Sequence, residues 1–380
     1  MLVNPFTPSF GVSPPVLAGR QGLIDEFGRA LDSHVGSLGR STVYAGARGV
    51  GKTVLLNAAE DEARSRGWVV ISETARPGVL ETLVHSRIPE ALFQLDPASF
   101  EEGRRLSGIS TPIGGVSSDG ADAERSAPRA DLRSLLEDLC ALTESGGTGV
   151  LLSLDEIHRS ATKDMREVAV AFQHLRRTGR NVAFVGAGLP NAIANISDGE
   201  VNTFIRRSER QELGRVVEAA VEQALQQPAE QAGRPFDPAA LELAVEATDG
   251  YPFMIQLVGD KCFNTNLNTP RISLEDAEHG VATARRRIGS LVFEPDFQDL
   301  TDTERSFVLA MAHDPAESKM SDIAGRVGID SNNAGVHRAH LITKAVIEAT
   351  RHGYVTFTNK EMRTFLREHA AFEAQQNFRR

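Results

Sequence analysis

Residues 46–53 read Gly46-Ala47-Arg48-Gly49-Val50-Gly51-Lys52-Thr53, the spacing G-x-x-x-x-G-K-[ST]. That spacing allows phosphate binding. The glycines let successive backbone N–H groups turn inward around a β-phosphate, Lys52 reaches the β- and γ-phosphates, and the Thr53 hydroxyl ligates Mg²⁺. A second constellation is the acid pair Asp155-Glu156, which ends the apolar run Val150-Leu151-Leu152-Ser153-Leu154. An aspartate at the end of a neighbouring strand can hold Mg²⁺ through water, and the carboxylate after it can orient and deprotonate the water that attacks a γ-phosphate. Gly46 to Thr53 are therefore candidate contacts to a nucleoside triphosphate. Thr53 and Asp155 are candidate Mg²⁺ ligands, and Lys52 and Glu156 are candidate catalytic groups. Hydrolysis, as opposed to binding, rests mainly on Glu156.

The elements that must carry these groups are legible around them. Thr42-Val43-Tyr44-Ala45 reads as a buried strand before the loop, and Thr53 to Arg64 as the helix after it. The positive end of that helix would meet the phosphates. Trp68–Ile71, Gly149–Leu154 and Asn181–Val185 are further short apolar runs, the last two separated by a helical stretch from about Lys163 to Arg177. Strands alternating with helices in this way predict a parallel sheet covered on both faces. Upstream lie a Pro-rich leader (Pro5, Pro8, Pro14, Pro15) and a helix pattern with Leu23, Ile24, Phe27, Leu31 and Val35 on one face. Residues 98–130 are rich in Ser, Gly, Asp and Glu and read as a long, partly mobile surface excursion. A helical region then runs from about Leu213 to Arg287, broken near Pro235 and Gly250. Toward the C-terminus, Thr301-Asp302-Thr303-Glu304 is a capping-box pattern. A short helix ending in a Gly turn follows at Ser321–Ile329, and a third helix from about Asn333 to Lys344 turns Val336, Leu341 and Ile342 inward. The strands Val346–Ala349 and Tyr354–Phe357 then flank a hairpin tip at Arg351-His352-Gly353. That order is a winged helix-turn-helix.

The 380 residues, 41% hydrophobic and 24% charged, bound the chain to a globular protein of two or three domains. No apolar run approaches the length of a membrane span, and the N-terminus has no signal-peptide pattern. With only Cys140 and Cys262, a disulfide framework or Cys-based zinc site is not expected, and a reducing cytoplasm is. The net charge of −10 does not advertise a nucleic-acid binder, but it is uneven: residues 331–380 carry eight Lys/Arg against four acids.

These motifs together resemble the AAA+ ATPases, specifically the branch of archaeal-type ATPases and origin-recognition-like initiators, with kinship to STAND signalling NTPases. Val16-Leu17-Ala18-Gly19-Arg20-Gln21 resembles the family's hydrophobic-Gly-Arg-acid box, with Gln21 in place of the acid. The resemblance implies that Val16 and Leu17 pack near adenine, hence ATP. Gly250-Tyr251-Pro252 resembles the lid motif G-x-P, which implies Pro252 against the base, with Tyr251 and Phe253 in the lid core. Phe204-Ile205-Arg206-Arg207-Ser208-Glu209-Arg210 stands where the family carries an arginine finger. Arg207 is the candidate, before Arg206 and Arg210, to reach a neighbouring subunit's γ-phosphate in a homo-oligomer. Asn181–Pro190 stands in the sensor-1 place without an evident polar sensor, and a sensor-2 arginine is missing from its expected place.

The implied architecture is an α/β P-loop NTPase core (1–212, with the 98–130 insert), a small helical lid (213–295) and a winged helix-turn-helix (296–380). The implied activity is a slow, Mg²⁺-dependent ATP hydrolase acting as a switch that engages duplex DNA. Asn332, Asn333, His337, Arg338, Lys344 and the wing residue Arg351 are the candidate contacts. The alternative is a STAND-like regulatory ATPase whose winged helix binds a protein partner. A metabolic kinase sharing only the phosphate loop would leave the C-terminal segment without a role.

Overall fold

The computed structural model describes residues 2–9, 11–98, 131–197 and 203–377. Apart from residue 98, the excursion expected over 98–130 lies outside them.

The N-terminal body is a five-stranded parallel sheet of order β2-β3-β4-β1-β5. The strands are β1 (Ser41–Gly46), β2 (Val69–Thr74), β3 (Val150–Ile157), β4 (Val182–Gly188) and β5 (Glu209–Leu213). β1, flanked by β4 and β5, is buried at every position. Its alternation serves two cores. Val43 and Ala45 join Leu152, Leu154 and Phe184 under the helices α3 (Leu132–Glu144) and α4 (Thr162–Arg177). Tyr44 joins Leu151, Ala183 and Val185 under α1 (Gln21–Asp32) and α2 (Lys52–Ser65). Continuous apolar strands are what a sheet covered on both faces requires. The order corrects one expectation, because β3 does not adjoin β1: β4 lies between them.

The following helices are α5 (Glu218–Gln231), α6 (Pro238–Thr248), α7 (Pro252–Asn264) and α8 (Leu274–Ile288). α6 ends in two left-handed residues, Asp249 (φ 50°) and Gly250 (φ 66°), and Pro252 opens α7. Gly250 is required there twice over, since a Cβ would fall 2.4 Å from the Val216 carbonyl oxygen.

The C-terminal segment contains α9 (Asp302–Ala312), β6 (Ser318–Lys319), α10 (Met320–Val327), α11 (Ser331–Thr343), β7 (Ile347–Arg351), β8 (Tyr354–Phe357) and α12 (Glu361–Asn377). The capping box at Thr301 and Glu304 opens α9, and Gly328 (φ 77°) closes α10. β6 makes the hairpin a three-stranded antiparallel sheet of order β6-β8-β7. Neither that two-residue strand nor α12 was anticipated, and Arg351 ends β7 rather than forming the tip. Val336 is 51% exposed, not inward; Ala334 and Leu341 hold α11 to the core. Ile342 packs against that core as expected, so only Val336 departs, the small Ala334 making the contact on this turn. The buried residues of α5–α8 and of the C-terminal segment form one continuous cluster, bridged by Val292, Phe293, Phe297 and Leu300.

Candidate functional site

The loop between β1 and α2 has its shape from glycine. Gly49 (φ 71°) and Gly51 (φ 86°) are left-handed, and a Cβ on Gly46 would meet Val50 Cγ2 at 2.7 Å and the Leu213 carbonyl oxygen at 2.8 Å. Gly51 caps α2, so the unpaired N–H groups of that helix's first turn open toward the loop. Lys52 Nζ lies across the loop, donating to Gly46 O at 3.0 Å and Ala47 O at 2.7 Å. Burial lowers its pKa to about 8, although Asp155 pulls the other way.

Thr53 Oγ1 donates to Asp155 Oδ2 at 2.7 Å, across the intervening β4. The acid pair reaches so far because β3 carries an irregularity between Leu154 and Ile157. Within it Glu156 adopts φ 53°, a left-handed backbone that a glutamate rarely takes, and its side chain stands exposed. The Glu156 N–H donates to Asp155 Oδ1 at 2.7 Å, which fixes the carboxylate facing Thr53.

These groups line a cavity of about 630 Å³, together with Val16, Leu17, Arg48, Gly49, Gly51 and Pro252. The other loop residues, Gly46, Ala47 and Val50, line a second cavity of about 540 Å³ behind the loop, where Arg48 also reaches. Several residues that line the first cavity were not foreseen as site residues. Arg20 donates to the Val50 carbonyl and, at 2.9 Å, to Gly214 O, and burial lowers its pKa to about 10. Thr7, Gly11, Val12 and Pro14 of the leader, His158, and Gln256 of α7 also line it. The Gly-Arg box was a signal for Arg20; no local pattern marks the others.

The loop is also tied outward. Arg48 pairs with Asp296 at 2.5 Å and Asp299 at 3.6 Å, and the Tyr251 hydroxyl donates to Arg48 O at 2.8 Å. Burial holds the Asp296 carboxyl above its usual range, with Arg48 opposing. Tyr251 packs against the α5–α8 core as expected, and its hydroxyl is in addition a contact to the phosphate loop.

Arg206 and Arg207 end the short helix Thr203–Arg207, exposed and outside their own chain's cavity. Arg210 lies on β5, paired with Glu212 at 2.5 Å. Of the C-terminal candidates, Asn332 and Asn333 are exposed at the start of α11, with Asn333 Nδ2 donating to Asp330 at 2.7 Å. His337 and Arg338 are half-buried, and α11 packs on one side against the core helix Pro190–Ser197. Lys344 is bound to the buried Glu304 at 2.8 Å, and Arg351 to Glu317 at 3.0 Å while stacking on Tyr354.

Among the described residues no group of three or more His, Cys, Asp or Glu could hold a metal ion. A threonine hydroxyl beside one carboxylate nevertheless suits Mg²⁺, a hard cation that draws its remaining ligands from phosphate and water.

The sequence matches two family descriptions. Residues 16–185, from the Gly-Arg box through β4, match "AAA ATPase domain". Most of the N-terminal body is thus similar to an AAA ATPase domain. Residues 290–366 match a domain of unknown function, DUF8462. No curated protein matches the chain. Two similar solved structures extend the AAA ATPase likeness in fold over nearly the whole chain. The Walker-type ATPase PABY2304 of Pyrococcus abyssi is 16% identical, covers 92% of this chain and 96% of its own, and has a TM-score of 0.63. The Aeropyrum pernix ORC2 protein, solved as ADPNP–ADP complexes, is 14% identical, covers 96% and 98%, and has a TM-score of 0.59. The fold is a P-loop NTPase fold shared with these two structures.

Proposed function

We propose that the protein is an ATP-hydrolysing switch. One observation carries this reading most directly: Thr53 Oγ1 and Asp155 Oδ2 meet at 2.7 Å in the same cavity as Lys52 and Glu156. Thr53 and Asp155 would hold Mg²⁺ there, and the metal would neutralise charge developing on the β- and γ-phosphate oxygens. The loop N–H groups and Lys52 bind the triphosphate, and Glu156 orients and deprotonates the attacking water. Val16, Leu17 and Pro252 supply apolar surface for the base. Arg207, exposed at a helix end, acts on a neighbouring copy's γ-phosphate. Residues 1–212 form the core, 213–295 the lid, and 296–380 a winged helix that engages duplex DNA through α11.

Asn332 and Arg338, whose side chains make no bond among the described residues, support the DNA contact. The ion pairs of Lys344 and Arg351 favour the second reading, in which the segment binds a protein partner. Hydrolysis measured with and without duplex DNA tests the first reading. Fluorescence anisotropy of labelled duplex at low and moderate salt, with and without ATP, accompanies it. Binding that weakens with salt and changes with ATP is expected. No binding in any condition removes the DNA claim and leaves the ATPase standing.

A further inference from the structure

Gln256 lies one turn into α7 and lines the same cavity as the phosphate loop. Its Oε1 accepts the Thr7 backbone N–H at 3.1 Å. That bond sets the amide's orientation, because an N–H donates only to the oxygen. The two Nε2 donors have no protein partner among the described residues. A half-buried amide nitrogen in this state calls for an acceptor.

The residue that orients it belongs to a strap. Asn4 Nδ2 donates to Asp260 Oδ1 at 2.8 Å, and Phe6 is 4% exposed against Phe263. Phe6 covers Gly259, where a Cβ would fall 2.4 Å from its ring. Farther along, Asn57 of α2 donates to Gly11 O at 2.9 Å. Residues 4–9 and Gly11 therefore tie α7 to α2 and wall the cavity between them. Away from the phosphate loop the lining includes the apolar Val12, Pro14, Val16, Leu17 and Phe253, with Thr7, Ser9 and Gln256 among the polar groups beside them. A small number of placed polar groups in an apolar chamber is how a pocket fixes the orientation of a flat heterocycle. A purine in such a chamber keeps its ring nitrogens as acceptors that lose water on burial.

We propose that Gln256 is a base-reading residue, whose Nε2, oriented by the backbone of the N-terminal strap, donates to a ring nitrogen of a bound purine. The inference rests on the triphosphate reading of the cavity and adds a determinant for the base.

The test compares ATP with 1-deaza-, 3-deaza- and 7-deaza-ATP, each lacking one ring nitrogen, by calorimetry on the full chain, with inorganic tripolyphosphate plus Mg²⁺ as the base-free probe. On the wild type, one deaza analogue is expected to bind roughly tenfold more weakly than ATP while the other two match it. Glu at this position still accepts the Thr7 N–H but has no donor. Gln256→Glu should therefore weaken ATP, abolish the penalty of that one analogue, and leave tripolyphosphate binding unchanged. Equal binding of all four nucleotides to the wild type overturns the proposal. So does a deaza penalty that persists in both Gln256→Glu and Gln256→Leu. The wild-type series decides by itself if a variant does not fold. If neither ATP nor tripolyphosphate binds the wild type, the triphosphate reading itself has failed, and the base contact falls with it.

Discussion

Two side chains in the cavity have separable tasks. Glu156 makes no side-chain hydrogen bond or ion pair with the loop among the described residues, so Glu156→Gln should leave ATP affinity nearly unchanged while hydrolysis falls by about 10²–10⁴-fold. Lys52→Ala should lose both, because the ammonium meets the phosphates in the ground state as well. Binding by calorimetry and phosphate release check the pair of outcomes. The pKa of about 8 at Lys52 adds a pH dependence. Phosphates favour the protonated amine, so above pH 8 binding must take up a proton. Affinity should fall between pH 7 and 9.5, with proton uptake visible in buffers of different ionisation heat, and the trend should vanish in Lys52→Arg, whose cation does not titrate in that range. The unliganded chain shows the opposite slope. Its lysine pKa lies below the unfolded value of 10.5, so this group adds stability as pH climbs from about 8 toward 10.5. The two cysteines play no such part, since burial pushes both thiols up to about 12 and leaves them unreactive.

At the level of elements, the helices α5, α7 and α8 are joined by one buried cation. Arg234 is fully enclosed, pairing with Asp276 at 3.1 Å and donating to the carbonyls of Cys262, Phe263 and Thr269. It joins the end of α5 to both α7 and α8. Arg234→Met should cost about 3–5 kcal/mol, because Asp276 and three carbonyls lose their donor inside an apolar cluster. A lowered urea midpoint checks it, and a change below about 1 kcal/mol would mean the pair is dispensable. β3 shows how a strand end was misjudged in part. Its apolar run leads into Asp155 and Glu156, but period-two alternation gave no sign of the irregularity beside which Asp155 meets Thr53, two strands away.

Across the whole molecule, the phosphate loop is held by parts far from it in sequence. Arg48 reaches Asp296 and Asp299 in the stretch joining α8 to α9, and Tyr251 reaches the same residue's carbonyl. The Arg48 side chain is 56% exposed, so each of these pairs is worth at most about 1 kcal/mol. That is enough for phosphates to compete for the guanidinium. Asp296→Asn combined with Asp299→Asn should raise ATP affinity a few-fold, up to about fivefold for 1 kcal/mol. Unchanged affinity by calorimetry would show that Arg48 does not exchange between acid and phosphate. The buried residues of α5–α8 and of the C-terminal segment form one core, so the helices that carry Tyr251 and the stretch that carries Asp296 share the same packing.

The local sequence determined the chemistry and most of the elements. Glycine spacing, the apolar runs around Val43 and Leu152, and the caps at Thr301 and Gly250 each act within a few residues, where short-range sterics and hydrogen bonding decide. Tertiary structure alone decided the strand order, the exposure of Val336, the ion pairs that occupy Lys344 and Arg351, and the strap that sets Gln256 against Thr7. Those depend on contacts between residues as many as 249 positions apart, whose partners no local pattern names.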